Sequence, residues 1–213
     1  MKLKDDSAFK VAEFLLQIKA IKLEVAKPFT WASGWKSPIY CDNRKTLSFP
    51  KIRNYIRQQF VDIITEEYGI PEVIAGVATG GIAIGALVAQ EMGLPFVYVR
   101  SSEKGHGLGN VIEGVVESGQ SVVVIEDLVS TGTSSIKAVE ALQGAGCKVL
   151  GMAAIFTYGF KTAEDNFKKA KCSLVTLTNY DTLIQQAVNN SYVLEGDLIT
   201  LEKWRENPAQ WGK

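Results

Sequence analysis

The spacing of hydrophobic positions changes several times along the chain and divides it into helical and extended segments. Residues 8–21 and 52–68 carry apolar side chains at helical spacing, whereas short β-branched runs alternate with helical stretches after residue 73. The strands predicted in that second part are residues 73–77, 96–99, 121–125, 148–156 and 174–177. The helices predicted between and after them are residues 82–92, 136–144, 163–170, 182–188 and 198–206.

This alternation predicts an α/β fold, with a mostly parallel central sheet flanked by helices on both faces. Loops that bind ligands are then expected at the carboxyl ends of the strands. Residues 29–42 differ from this pattern, because they are rich in aromatic residues and interrupted by glycine and proline. We expect one domain over residues 1–213, with a small N-terminal hood formed mainly by residues 1–45.

The segment that bears most directly on chemistry is V-V-V-I-E-D-L-V-S-T-G-T-S, residues 122–134. Its β-branched residues predict a buried strand that ends at the acid pair, Glu126 and Asp127. Small residues then fill positions 130–134, before the next predicted helix. A turn of this kind leaves free N–H groups at a helix N-terminus, where a phosphate monoester binds well. We call residues 130–134 the phosphate cradle.

The acid pair cannot serve the same phosphate, because carboxylates repel it. Carboxylates suit neutral donors such as sugar hydroxyls. Together the two features predict a single site for a phosphorylated sugar. The alternative is an ordinary helix cap beside a solvated strand end, but the unbroken order of strand, acid pair, small-residue turn and helix favours a binding site.

Two other loops follow predicted strands. Thr79-Gly80-Gly81 allows close approach of backbone to an anion, although helix packing explains its glycines equally well. Neither the G-x-G-x-x-G nor the G-x-x-x-x-G-K-[ST] phosphate motif is present. Residues 100–109, here called the lid loop, alternate Arg100, Lys104 and His106 with glycines. Such a loop is either a solvated connection or a lid that closes over an anionic substrate.

Composition excludes several classes of protein. The 213 residues include 23 basic and 23 acidic side chains, and this zero net charge argues against nucleic acid or an anionic membrane as the main partner. The first residues contain no apolar signal segment, and the longest uncharged run is too short and glycine-rich to span a membrane. Three cysteines without a C-x-x-C pair suit the reducing cytoplasm. A single histidine excludes a histidine-rich metal site.

With these loops in view, the chain resembles the type I phosphoribosyltransferases. Residues 122–134 are similar to the family's signature for phosphoribosyl pyrophosphate. F-T-W-A-S-G-W-K-S-P-I-Y-C-D, residues 29–42, is similar to the hood segment of the branch that acts on orotate. Y-V-R-S-S-E-K-G-H-G, residues 98–107, is similar to the catalytic lid of that branch. The resemblance extends over nearly the whole chain and is least distinctive in its last forty residues.

The resemblance implies the type I phosphoribosyltransferase fold and transfer of a phosphoribosyl group to orotate, giving orotidine 5′-phosphate and pyrophosphate with Mg²⁺. It implies that the acid pair contacts the ribose hydroxyls, that the cradle holds the 5′-phosphate, and that Ser130 also lies near orotate. Thr79 and Gly80 would face pyrophosphate. Arg100, Lys104 and His106 would supply its positive environment and act in catalysis with Asp127. The residues expected to bind phosphoribosyl pyrophosphate are therefore Thr79, Gly80, Arg100, Lys104, His106, Glu126, Asp127, Leu128, Val129, Ser130, Thr131, Gly132, Thr133 and Ser134.

The ligands of Mg²⁺ and of the orotate carboxylate are predicted less specifically. No side chains are assigned to Mg²⁺, because the chain offers no dense carboxylate cage and substrate oxygens suffice. Ala32, Gly80 and Ser101 stand where some family members carry lysine. The group that binds the orotate carboxylate therefore stays open, with Lys36 and Tyr40 as candidates for contact with the base.

The resemblance also implies a homodimer in which the lid loop of one subunit covers the site of the other. Two alternatives remain for the function. A purine phosphoribosyltransferase would share the segment around Glu126–Ser134 but not this hood together with this lid. A non-catalytic regulator that senses phosphoribosyl pyrophosphate would need an added nucleic-acid-binding region, for which this neutral chain has no spare residues.

Overall fold

Strands and helices alternate along the second half of the chain, as the spacing of apolar residues predicts. The computed structural model describes residues 5–100 and 111–212. The helices are α1 (Asp5–Gln17), α2 (Pro50–Tyr68), α3 (Gly80–Met92), α4 (Thr133–Gly144), α5 (Lys161–Lys169), α6 (Tyr180–Asn189) and α7 (Leu198–Glu206). The strands are β1 (Ile21–Leu23), β2 (Phe29–Thr30), β3 (Lys36–Ser37), β4 (Ile39–Cys41), β5 (Val73–Val77), β6 (Phe96–Val99), β7 (Ile112–Glu113), β8 (Ser121–Val129), β9 (Lys148–Thr157) and β10 (Leu174–Asn179). Short 3₁₀ helices cover Asn43–Ser48 and Glu195–Asp197.

The central sheet has the strand order β10-β9-β8-β5-β6-β7. Every pairing in it is parallel except that of β7 with β6. Alternate residues of the buried strands pack on opposite faces: Ile74 and Val123 join a core formed with α1, α2, α3, α6 and α7, and Val73 and Val122 join one formed with α4 and α5. Burial on both faces explains why these strands read as continuous apolar runs. The predicted mostly parallel sheet flanked by helices is confirmed.

The acid pair does not end its strand, which corrects the prediction that the strand stops at residue 125. β8 continues to Val129, because β9 runs beside it and pairs with it as far as Val129 and Thr157. Its pairing with β5 on the other side ends earlier, at Ile125 and Gly76. Glu126 and Asp127 therefore lie in a stretch of strand that has lost one of its two neighbours.

Several predicted helix boundaries were also wrong. The helix predicted over residues 8–21 is α1, which ends at Gln17, and Ile21 instead begins β1. α3 and α4 begin earlier than predicted, at Gly80 and Thr133, so the small residues thought to precede these helices form their first turns. Apolar spacing locates the buried face of a helix, but the polar or glycine residues of a first turn carry no such signal. The strand β7 was not predicted.

The strands β1 to β4 lie within the predicted hood. β1 pairs with β4 and β2 with β3, both antiparallel, so residues 29–42 contain the expected hairpin. α1, by contrast, packs against α6 and β10 at one edge of the central sheet. The extent of the hood, residues 1–45, stays a prediction. No helix in the described part of the chain is long and apolar enough to cross a membrane.

Candidate active site

The two members of the acid pair have different surroundings. Glu126 is 5% exposed, and its Oε2 accepts a hydrogen bond from Ser135 Oγ at 3.0 Å. Its Oε1 accepts one from the backbone N–H of Asp127, also at 3.0 Å. Burial, and then the neighbouring Asp127, raise the pKa of Glu126 well above its ordinary value. Asp127 is only partly buried. Of the two, Asp127 is the one with a side chain open to a ligand.

The turn after β5 lies directly against the acid pair. A Cβ atom built on Gly80 would overlap the carboxylate of Asp127, and one built on Gly81 would overlap the carbonyl oxygen of Ile125. Glycine is therefore required at position 81, where the contact is with backbone, whereas a side chain at position 80 would displace the carboxylate of Asp127. The Ala78–Thr79 peptide bond in this turn is cis. The structure thus places the backbone of Gly80 against Asp127, and the roles expected for Thr79 and Gly80 stay predictions.

The phosphate cradle begins where β8 ends and continues into the first turn of α4. Gly132 has φ +76°, a left-handed conformation that favours glycine, and Phe167 of α5 packs behind it. The hydroxyls of Thr131 and Thr133 lie 3.1 Å apart, and Asn166 donates to the carbonyl of Thr131 at 2.8 Å. Thr133 and Ser134 are exposed at the helix N-terminus. Free N–H groups and hydroxyls at one place suit an anion.

The lid loop is described only at its first residue. Arg100 follows β6, its backbone N–H donates to Val111 at 2.8 Å, and its Nε lies 3.1 Å from Glu113 Oε1 of β7. Lys104 and His106, like Ser101, lie outside the described residues. Their roles therefore stay predictions.

A pocket of about 220 Å³ opens between the hood and the end of β8. It is smaller than the roughly 300–1,000 Å³ typical of pockets for drug-sized ligands, and so suits a ligand of about the size of a nucleobase. Mostly apolar and aromatic side chains surround it, with few polar groups. We call it the base pocket, and its lining residues are Thr30, Trp31, Ala32, Tyr40, Cys41, Leu128, Ser130 and Tyr158.

An aromatic cluster connects this pocket to the C-terminal helix. Trp31 packs against Tyr158 and Trp204 with ring centroids 5.2 and 5.7 Å apart. Trp31 Nε1 donates to the carbonyl of Ile39 at 3.0 Å, and Trp204 Nε1 donates to that of Lys36 at 3.2 Å. These contacts hold the hood on α7. Indoles with satisfied N–H groups, buried at Trp204 and partly buried at Trp31, give the pocket a rigid wall.

Lys36, one of the two residues predicted to contact the base, reaches the edge of this pocket. Its Nζ donates to Thr30 Oγ1 at 2.8 Å, and Thr30 lines the pocket. Tyr40, the other, lines the pocket directly and is 40% exposed. Ser130 lies both in the cradle and in the pocket wall, so it stands at the junction of the two.

The described residues contain no group of three or more histidine, cysteine, aspartate or glutamate side chains able to hold a metal ion. One carboxylate, that of Asp127, faces the 79–81 turn. Mg²⁺ is usually bound through one or two carboxylates together with substrate phosphates and water. The acid pair therefore fits a metal brought in with the substrate, and does not fit an all-protein cage.

Sequence reasoning missed several residues of this site. Ser135 holds Glu126, and Asn43 donates to the carbonyl of Asp127 at 2.7 Å. Trp31, Cys41 and Tyr158 line the base pocket. Ser135 directly follows the cradle, and its hydroxyl could have marked it in the sequence as a hydrogen-bond donor to the acid pair. Asn43 and Tyr158 are brought to the site only by the fold, and no local pattern marks them.

Comparison with known proteins agrees with this arrangement. The family model described as "Phosphoribosyl transferase domain" matches residues 47–188. An orotate phosphoribosyltransferase of Phocaeicola vulgatus is 59% identical over 200 residues, which is 94% of either chain. The chain belongs to the orotate phosphoribosyltransferase family.

Solved structures share the fold. An orotate phosphoribosyltransferase from Aeropyrum pernix superposes with a TM-score of 0.74 at 27% identity, covering 83% of this chain and 97% of that one. An adenine phosphoribosyltransferase from Leishmania tarentolae superposes with a TM-score of 0.63 at 20% identity, covering 86% and 93%. Since an adenine enzyme has this fold as well, the fold alone does not select the base.

Proposed function

We propose that this chain transfers the 5-phosphoribosyl group of phosphoribosyl pyrophosphate to orotate, giving orotidine 5′-phosphate and pyrophosphate, a step in making pyrimidine nucleotides. The observation that carries the proposal is the 59% identity to an orotate phosphoribosyltransferase over 94% of both chains. The close approach of the acid pair, the cradle and the 79–81 turn supports it from the chemistry. The three features bind, respectively, the ribose, the 5′-phosphate and the pyrophosphate of one substrate.

Asp127 is the principal contact for the ribose hydroxyls, because it is the more exposed carboxylate and lies against Gly80. Glu126 supports it from the interior. Breaking the bond at C1′ develops positive charge on the ribose, and a nearby carboxylate stabilises that charge. Residues 130–134 hold the 5′-phosphate through hydroxyls and the free N–H groups of α4, while Leu128 and Val129 join the ribose and phosphate subsites.

Pyrophosphate leaves with negative charge, and cations stabilise it. Arg100, Lys104 and His106 supply those cations, and the backbone at Thr79 and Gly80 faces the same group. Gly80 carries no side chain, so main-chain N–H groups serve where some family members use lysine. These roles rest on the family resemblance of the lid loop and on the placement of the 79–81 turn beside Asp127.

Mg²⁺ would be held here mainly through the oxygens of the substrate. Asp127 is the side chain placed to approach it, and substrate oxygens and water complete its ligands. When bound, the ion neutralises charge on the pyrophosphate. No other described side chain is assigned to it.

Orotate occupies the base pocket, whose aromatic walls suit a flat ring. Ala32 and Ser101 leave the orotate carboxylate without the lysines found in some relatives. Lys36 is the cation that fills this need, because its Nζ already lies 2.8 Å from Thr30 Oγ1 at the pocket edge. Tyr40 and Ser130 supply hydroxyls on either side of the ring.

The protein acts as a homodimer in the cytoplasm, with each lid loop closing on the partner's site. Isologous two-fold contact allows this exchange without a further chain. The neutral net charge supports the absence of nucleic acid and membrane from its partners. The three cysteines are all free in the structure, which suits a reducing compartment.

The deciding experiment offers purified protein phosphoribosyl pyrophosphate, Mg²⁺ and one base at a time. The panel contains orotate, uracil, adenine, hypoxanthine and xanthine, and consumption of each base is followed by absorbance. We expect orotate alone to be consumed. Turnover of a purine without turnover of orotate would favour a purine phosphoribosyltransferase. Binding of phosphoribosyl pyrophosphate without turnover of any base would favour the regulator.

A further inference from the structure

Asn43 connects the hood to the acid pair. It begins the 3₁₀ helix that follows β4, and its side chain is buried with 1% exposure. Its Nδ2 donates to the main-chain carbonyl of Asp127 at 2.7 Å, across 84 residues of sequence. Nothing in the family resemblance assigns a role to this residue. It is a polar contact from the hood to the strand that carries both carboxylates.

The carbonyl of Asp127 requires such a donor because of where β5 ends. The ladder between β5 and β8 stops at Gly76 and Ile125, since β5 ends at Val77 and the chain turns toward Gly80. β8 continues to Val129 without that neighbour. A main-chain carbonyl left unpaired in the interior is destabilising. The Asn43 amide takes the place of the missing strand.

The other end of the Asn43 amide is also fixed. Its Oδ1 accepts a hydrogen bond from Cys41 Sγ at 3.2 Å. Burial, and then the negative charge of Asp127, raise the pKa of the Cys41 thiol well above its ordinary value, so the thiol keeps the proton that it donates. With Oδ1 engaged by the thiol, Nδ2 is directed at the carbonyl of Asp127. Cys41 in turn lines the base pocket.

We propose that Asn43 is a positioning residue that fixes the acid pair relative to the base pocket. Hydrogen bonds run from a wall of the pocket, at Cys41, through Asn43 to the main chain of Asp127. The inference rests on the proposed function, in which the ribose lies at Asp127 and the base lies beside Cys41. Reaction requires C1′ and the attacking ring nitrogen at a defined distance and angle. A displacement of about 1 Å between bound reactants can cost about 100-fold in rate.

The test compares kcat with the binding of each substrate separately. Asn43→Ala removes the amide without adding charge beside Asp127. We expect kcat to fall by roughly 10- to 100-fold. The Kd values for orotate and for Mg²⁺ with phosphoribosyl pyrophosphate should each stay within about threefold, because every contact to the separate substrates remains. Wild-type kcat in folded Asn43→Ala, or a loss confined to one Kd, would overturn the inference.

A matched control separates positioning from stability. Tyr68→Phe also removes a hydrogen bond from a side chain to a main-chain carbonyl 84 residues away, that of Met152 at 3.1 Å, together with longer bonds between the Tyr68 hydroxyl and Ser173. It should lower the melting temperature without changing kcat. Should Asn43→Ala fail to fold, Cys41→Ala serves instead, because it keeps the bond to Asp127 but frees Oδ1. We expect a smaller loss of kcat and an unchanged Kd for Mg²⁺ with phosphoribosyl pyrophosphate. The Kd for orotate is not a criterion for this variant, since Cys41 lines the base pocket. Unchanged kcat in Cys41→Ala would then count against the inference.

Hydrogen exchange supplies a readout that does not need orotate. On adding Mg²⁺ and phosphoribosyl pyrophosphate to wild type, amides of residues 126–134 and of residues 37–43 should both exchange more slowly. In Asn43→Ala, only residues 126–134 should be protected. Equal protection of the hood in both proteins would contradict the inference. Failure of wild type to consume orotate would instead contradict the proposed function, and would leave this comparison intact.

Discussion

Gly80 and the carboxylate of Asp127 are in such close contact that no side chain fits between them. A Cβ atom at position 80 would overlap the Asp127 carboxyl group. This contact brings the turn after β5 to the acid pair of β8, and so places two loops of different strands in one site. It also gives a physical reason why position 80 carries no lysine in this chain.

Replacement of Gly80 by alanine should therefore displace Asp127. The backbone of Gly80 is not in the left-handed region, so the effect comes from the contact and not from φ. We expect kcat/KM to fall by roughly 100-fold, as for a small misplacement of a catalytic group. Gly144→Ala is the control, because a Cβ at that helical position meets nothing within 4 Å. It should keep full activity. Equal activity of both variants would show either that Asp127 is not displaced or that its position does not affect catalysis.

Glu126→Gln should stabilise the protein at neutral pH while lowering its activity. The folded-state pKa of Glu126 is raised from about 4.5, so its contribution to stability is fully present below that value. It is lost as pH rises through the raised pKa, because ionisation then occurs in a buried site. Glutamine never ionises. The melting temperature of Glu126→Gln should exceed that of wild type at pH 7, by roughly 2–4 °C for each kcal/mol.

The pH dependence provides the check on that prediction. The difference in melting temperature should shrink as pH falls toward and then below about 4.5, because Glu126 then becomes protonated in the unfolded protein as well as in the folded one. Glu164→Gln, on the exposed face of α5, should show no such difference. A Glu126→Gln protein that is less stable than wild type at pH 7 would contradict the buried environment described above.

The sequence predicts most of the sheet, and the reason is local. Val73–Val77 matches its predicted bounds because a central strand buried on both faces forms an unbroken apolar run. Phe96–Val99 matches as well, as an apolar run whose alternate residues are buried. The predicted bounds of β8 were too short, because two adjacent carboxylates in a sequence are normally taken to mark the end of a strand. Only the pairing of Val129 with Thr157 shows that the strand continues. That pairing is a property of the tertiary structure.

The site was predictable where its parts are contiguous and not where the fold assembles them. The acid pair and the cradle occupy one segment, so their order was readable. The base pocket combines hood residues with Leu128 and with Tyr158, which follows β9. No local pattern indicates that these residues meet. The burial of Glu126 beside Ser135 was likewise set by packing, because an acidic residue in a sequence is expected to be solvated.

Lys36→Met should weaken the binding of orotate specifically. Methionine keeps the length of the side chain and removes the charge that we assign to the orotate carboxylate. Hydrogen bonds to charged groups contribute about 1.5–3 kcal/mol, so the KM for orotate should rise by roughly 10- to 100-fold. The KM for phosphoribosyl pyrophosphate should not change. Lys22→Met, on the exposed face of β1, is the control. An unchanged KM for orotate would show that Lys36 does not bind the orotate carboxylate.

Subunit mixing tests the shared lid. Asp127→Asn should lower activity by roughly 10²–10³, the usual cost of one electrostatic contact at a reacting centre. Lys104→Ala should be similarly impaired. If the lid loop acts on the partner's site, a mixed dimer concentrates both defects in one site and leaves the other intact. Each mixed dimer should then show up to about half the activity of a wild-type dimer. Absence of recovery after proven subunit exchange would contradict the shared lid.

The central claim is that one site couples loss of pyrophosphate to attachment of orotate, and stoichiometry measures this directly. Wild-type protein is given Mg²⁺, phosphoribosyl pyrophosphate and limiting orotate, and pyrophosphate, orotate and orotidine 5′-phosphate are quantified together. The account predicts one pyrophosphate and one orotidine 5′-phosphate for each orotate consumed, and no pyrophosphate when orotate is omitted. Pyrophosphate released without consumption of orotate, or no release from protein that binds phosphoribosyl pyrophosphate, would contradict it.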